Sequence, residues 1–240
     1  MFKQEQLENI LFLDIETASN VAGYEAMSER MQALWDKKSK RYERDYDEPT
    51  DSATIYRDKA AIHAEFGRVV CISCGYLRFG EDGNAVLKMR SFWGEDEQKL
   101  LADFADNVNK FCSRPGRLLA AHNGKEFDFP YLGRRYLING LAVPYVLRVQ
   151  GKKPWETAFV DTMELWKFGD FKSYTNLETL AAIFDVPTSK DDIDGSQVSS
   201  AYYDGQVERI KTYCEKDVVV TAQVMLRLCG HAGHVSVVSS

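Results

Sequence analysis

Two acids stand two residues apart in Phe12-Leu13-Asp14-Ile15-Glu16-Thr17, at the end of an apolar run that reads as a strand. Side chains at i and i+2 leave the same face of a strand, so Asp14 and Glu16 form a ready pair of metal ligands. A further acid, Asp128, follows an apolar strand and a turn in Ala120-Ala121-His122-Asn123-Gly124-Lys125-Glu126-Phe127-Asp128-Phe129-Pro130, at the entrance to a helix. Tyr213 and Asp217 lie four apart in the last long helical stretch, hence one turn apart on one face, while Glu215 and Lys216 point elsewhere. Carboxylates that converge from separate stretches are what phosphodiester hydrolysis with two metal ions about 3.5–4 Å apart requires. Each motif alone has a plainer reading: acids at an exposed strand end, an N-cap, a surface pair with a half-buried ring.

The elements that must position these residues alternate along the chain. Ile10 to Ile15 reads as a central strand buried on both faces. Val69 to Phe79 and Ala85 to Trp93 flank a Gly80-Glu81-Asp82-Gly83-Asn84 turn and read as a hairpin beside it. A helical stripe runs over 95–111, a short strand over 117–122, and a helix over 130–138 with a proline in its first turn. A strand near 158–161 and helices near 176–184 and 205–228 complete the pattern. The expectation is an α/β domain over 1–230 built on a mixed sheet of about five strands with helices on both faces. A charged, tyrosine-rich helical insertion at about 20–65 reads as a solvated helix pair on the domain's edge, with a substrate-clamping lid as the alternative. Residues 231–240 read as a flexible tail.

Thirty Lys and Arg against 36 Asp and Glu give a formal net charge of -6, which excludes an electrostatic grip on long duplex DNA or an anionic membrane. Any nucleic-acid contact must be local. No apolar run reaches the roughly 18 residues of a membrane span, and the opening residues lack a signal peptide's layout, so a soluble cytoplasmic protein is expected. Five cysteines, at 71, 74, 112, 214 and 229, suit reduced thiols. Cys71 and Cys74 form a C-x-x-C inside a strand, where residues three apart face opposite sides, which disfavours a zinc site.

Asp14-Ile15-Glu16, His122-Asn123 through Phe127-Asp128, and Tyr213 with Asp217 resemble exonuclease motifs I, II and III of the DEDD superfamily, in its tyrosine-bearing branch. The chain is most similar to stand-alone predicted exonucleases related to the proofreading domain of B-family DNA polymerases. The similarity extends to Lys152-Lys153-Pro154-Trp155-Glu156, Asp161-Thr162-Met163-Glu164-Leu165-Trp166 and Asp191-Asp192-Ile193-Asp194-Gly195-Ser196. The resemblance implies a ribonuclease H-like fold and 3′–5′ removal of nucleoside monophosphates from single-stranded nucleic acid, DNA favoured, with two Mg2+ or Mn2+ ions. It implies that Asp14 bridges the ions, that Glu16 and Asp217 complete the first site, and that Asp128 holds the second. Tyr213 would orient the nucleophile, since a phenol of pKa near 10 is a poor base by itself.

Thr17 and Asn123 lie beside these ligands and are candidates to hydrogen-bond the terminal nucleotide; Phe127 is a stacking wedge or core. Lys152, Lys153 and Trp155 offer phosphate charge and a stacking plane, or form an ordinary loop. Asp161 ends an apolar run as Asp14 does and is a candidate supporting residue facing the same cleft. Two other readings stay open: a catalytically idle nucleic-acid-binding module, and an RNA-trimming exoribonuclease on the same fold. Proofreading would call on a separate polymerase or repair protein as partner.

Overall fold

The computed structural model describes residues 2–81, 83–170, 172–188, 193–231, 233 and 235–239. Its strands are β1 (Ile10–Ser19), β2 (Gly67–Phe79), β3 (Ala85–Trp93), β4 (Leu118–Ala121), β5 (Phe159–Asp161) and β6 (Val235–Ser239). The helices are α1 (Gln4–Leu7), α2 (Glu29–Ser39), α3 (Ser52–Lys59), α4 (Glu97–Phe111), α5 (Asp128–Ile138), α6 (Thr162–Lys167), α7 (Leu177–Ile183), α8 (Val198–Tyr203) and α9 (Val207–Leu228). The sheet order is β5-β4-β1-β2-β3-β6, with β2 antiparallel to both neighbours and the other pairings parallel. This is the ribonuclease H-like α/β arrangement that the resemblance implied, with one strand more than expected. The sixth strand corrects the reading of a flexible tail: Val235–Ser239 pairs alongside β3 from Ala85↔Val235 to Met89↔Ser239. A short alternation of valine and serine offers little local signal; an open sheet edge supplies the missing partner.

Strand alternation assigns β1 to two cores. Leu11, Leu13 and Ile15 enter the cluster beneath α4 and α5, with Phe104, Val108, Leu132 and Tyr136. Ile10 and Phe12 enter the cluster beneath α9, with Val218, Ala222 and Met225, and Ala18 joins Ala201, Ile210 and Cys214 beneath α8 and α9. Asp14 and Glu16 belong to this even-numbered set, so period-two geometry turns them toward α9. Cys71 and Cys74 fall in opposite cores, as the strand reading required.

A buried ion pair fixes α5 against α4 and β2. Arg135 donates through Nε and Nη2 to Glu97 (2.8 and 2.5 Å) and through Nη1 to the Ala64 carbonyl (2.7 Å), and Glu97 also accepts from the Val69 N–H (2.8 Å). Both side chains are about 95% buried, so every charge-bearing atom needs these partners to offset its desolvation. Between β1 and β2, α2 and α3 are more than a solvated pair. Trp35, Ile55, Tyr56, Ala60 and Phe66 form a small core of their own, with Trp35 edge-on to both Tyr56 and Phe66. No helix among the described residues is long and apolar enough to cross a membrane.

Candidate active site

β1, β4 and β5 run in one direction, and the acids gather toward their carboxyl ends, where open α/β sheets bind ligands. The pairing of β1 with β2 slips between Glu16 and Thr17, a bulge of the kind that re-aims side chains beside active sites. β4 pairs with β1 only through Phe12↔Ala120 and ends at Ala121, leaving the next stretch of β1's edge without a strand. There the Ile15 N–H donates to Oδ1 of Asp128 at 3.2 Å. Asp128 is therefore not the N-cap that its position suggested: Phe127 precedes the helix without a side-chain cap, and Asp128, 4% exposed, is the first helical residue reaching across to β1.

The turn that delivers Asp128 is held by Asp161. Its Oδ1 accepts from the N–H groups of Asn123 and Met163 (both 2.9 Å), and its Oδ2 from that of Lys125 (3.1 Å). Three amides on one buried carboxylate fix the turn and also cap α6. Asn123 takes φ 61°, and Gly124 packs so close to Ala121 that an added Cβ would lie 2.4 Å from that residue's own. His122 donates through Nε2 to the Thr175 carbonyl (3.0 Å), which leaves Nδ1 to accept from the Thr162 hydroxyl (2.8 Å). Burial pushes its pKa down, consistent with a neutral ring.

Tyr213 and Asp217 share the α9 face turned to β1, and the Tyr213 hydroxyl hydrogen-bonds Asp217. Burial, then repulsion from Asp217, Glu16 and Asp14, raises the phenol's pKa. Between them, Cys214 is fully buried and donates its thiol to the Asp14 carbonyl at 3.4 Å. On the neighbouring side Glu215 accepts from Ser91 (2.7 Å), which meets Ser73 (3.0 Å), a polar seam that fixes the helix's rotation over β2 and β3. Neither contact was visible in the sequence, where Cys214 and Glu215 were only the residues between two others.

The acids perturb one another. Asp14 is raised well above its ordinary value by burial and then by Glu16, Asp128 and Asp217; Glu16 is raised by burial and then by Asp217. Burial pushes Asp128 up to about 7 and Asp217 up to about 6. Asp14 is half-buried overall, yet its Oδ2 is enclosed and has no hydrogen-bond partner among the described residues. Asp14, Glu16 and Cys214 bring ligand atoms within 4.8 Å of one another. The raised pKa of Cys214 keeps it a thiol, leaving an oxygen-rich donor set that fits hard divalent ions better than soft ones. A cavity of about 490 Å³ opens beside Tyr213 and Asp217, with Asn176, Ile193 and Gln197 in its wall.

The candidate substrate residues divide. Thr17 is 8% exposed and hydrogen-bonds Tyr131, and Phe127 packs against Tyr131 at a ring distance of 5.3 Å, partly buried on the core. Asn123 stands in the turn before Asp128. Lys153 and Trp155 do pair, cation over ring at 5.2 Å, and Trp155 is 76% exposed. They precede the first residue of β5, however, which pairs with Leu119 at the end of the sheet where β1 begins, away from the acids' end. Asp191 and Asp192 lie outside the described residues.

A mixed sheet whose carboxyl-end cleft collects acids from three distant stretches defines a nuclease-type domain. Residues 59–239 match the family described as predicted 3′–5′ exonucleases related to the exonuclease domain of PolB, and the chain belongs to that family. The match begins after β1, so Asp14 and Glu16 stand on the geometry rather than on it. No curated protein matches the sequence. Among solved structures the chain is similar to exonuclease I (13% identity over 91% of this chain and 40% of that one, TM-score 0.45) and to exonuclease I from Methylocaldum szegediense (13%, 91%, 39%, TM-score 0.45). It is also similar to E. coli exonuclease I in complex with a dT13 oligonucleotide (13%, 91%, 40%, TM-score 0.40). The chain spans about two fifths of the length of these proteins.

Proposed function

We propose that this 3′–5′ exonuclease hydrolyses the terminal phosphodiester of single-stranded DNA with two divalent ions and releases nucleoside 5′-monophosphates. The observation that carries the reading is the buried, mutually repelling group of Asp14, Glu16, Asp128 and Asp217 around an unpartnered carboxylate oxygen. These four side chains would hold Mg2+ or Mn2+. When bound, the ions lower the pKa of a water and neutralise charge developing on the phosphate.

The chain's own groups do the rest. Burial and the neighbouring carboxylates keep the Tyr213 phenol protonated, so no phenolate is present to take the water's proton and the hydroxyl orients the attacking water along the line of displacement. The cavity beside it receives the terminal nucleoside against Asn176 and Gln197. Asp161 keeps Asp128 in place by fixing the turn before it.

The test is a 5′-labelled single-stranded oligonucleotide incubated with manganese, as DNA and as RNA. A ladder shortening from the 3′ end, abolished by Asp217→Ala, supports the reading. Retarded but intact oligonucleotide would mark an idle binding module, and faster shortening of RNA would move the substrate to RNA.

A further inference from the structure

We propose that the loop joining α6 to α7 is the track on which the single strand lies just upstream of its terminal nucleotide. Phe168 and Tyr174 stack on unpaired bases there, and Lys167 and Lys172 meet the intervening phosphates. The inference rests on the nuclease reading and locates the surface that reading needs.

Position is the first argument. The loop follows α6, which leaves the carboxyl end of β5, and its far end returns to the site: the Thr175 carbonyl ties it to His122 in the turn before Asp128, and Asn176 lines the cavity with Tyr213 and Asp217. A strand whose last nucleoside fills that cavity must cross a neighbouring surface, and this loop borders it.

Chemistry is the second. Phe168 is 84% exposed and Tyr174 64%, a large apolar exposure for two rings carried by one short loop. The Lys167 ammonium stands 3.9 Å from the centre of the Tyr174 ring, so a cation and a stacking plane are already paired. Lys172 is exposed on the same loop, and the adjacent Asp170 carboxylate is engaged by the Lys172 N–H. The nearby Lys125 is neutralised by Glu164, which leaves Lys167 and Lys172 as the cations of this loop. In a chain of net charge -6, a local pair of cations set beside aromatic rings favours a single strand, whose bases expose their faces, over a duplex.

Backbone conformation is the third. Phe168 ends α6 at φ 46°, ψ 32°, the left-handed region that bulky residues rarely enter, although Gly169 follows immediately. A bulky residue kept in this strained region beside a glycine points to a use for its exposed ring.

Binding is read by fluorescence anisotropy with 5′-fluorescein oligonucleotides of three and ten nucleotides, in calcium to limit turnover. The Phe168→Ala/Tyr174→Ala variant should bind the ten-nucleotide strand at least tenfold more weakly, since each base–aromatic stack is worth about 1–3 kcal/mol. Tyr174→Phe should stay near wild type, and all variants should melt normally. Wild-type affinity in a folded double-alanine variant would overturn the track. Manganese-dependent shortening by the wild type is scored separately. Shortening with unchanged variant affinity sinks the track alone, and lost affinity in a protein that never shortens DNA sinks the nuclease reading alone.

Discussion

Replacing Asp128 by Asn should make the metal-free protein more stable, and increasingly so as pH rises. Asp128 is 4% exposed, and burial lifts its pKa from an ordinary 3.8 to about 7. Because the folded-state value lies above the unfolded one, the ionised carboxylate opposes folding. The penalty is small near pH 4, grows as pH rises, and levels off above about pH 7. At about 1.36 kcal/mol per pKa unit it amounts to under about 1 kcal/mol at pH 4 and about 4 kcal/mol at pH 8. Asparagine removes the charge and keeps an oxygen to accept from the Ile15 N–H, 3.2 Å away in the wild type. Urea unfolding in excess chelator at pH 4 and pH 8 measures this. The variant should gain several kcal/mol over the wild type at pH 8 and little at pH 4, and it should lose manganese-dependent activity. A stability difference that is flat across pH, or a variant less stable at pH 8, refutes the reasoning.

Magnesium or manganese at about a hundred times its dissociation constant should stabilise the wild type by about 2.7 kcal/mol, a rise of about 5–10 °C in melting temperature. Asp14→Asn should blunt that rise in the same melting scan. Asp161→Ala strips acceptors from three amides, those of Asn123, Lys125 and Met163, and should destabilise the fold by about 2–4 kcal/mol in urea while lowering kcat. Asp161→Asn, which keeps an acceptor oxygen, should lose less of both. Arg135→Ala leaves Glu97 charged and buried, and should cost about 3–5 kcal/mol of stability by the same unfolding measurement.

The parts of this site that were legible in the sequence are those governed by a local period. Asp14 and Glu16 share a strand face because they are two apart, and Tyr213 and Asp217 share a helix face because they are four apart. The early proline at 130 marked a helix start to within a turn. Asp128 was recognisable as an acid at a helix entrance, but its partner was not, because the Ile15 amide is free only where β4 stops. Lys153 and Trp155 pair as cation over ring, a composition that suits a nucleic-acid contact, in the loop that enters β5 at Phe159. Phe168 and Tyr174 lay in a stretch with no periodic signal, and their importance rests on an exposure that only the folded chain defines. The core around Trp35, Tyr56 and Phe66 likewise draws single aromatics from a charged background that read as solvated.

Anomalous diffraction from a crystal grown with manganese and a nucleoside 5′-monophosphate tests the convergence of the four acids most directly. Two manganese peaks about 3.5–4 Å apart, bound by Asp14, Glu16, Asp128 and Asp217 with the phosphate against them, are the predicted result. Saturating manganese that leaves those carboxylates bare, or binds only elsewhere on the chain, would contradict it.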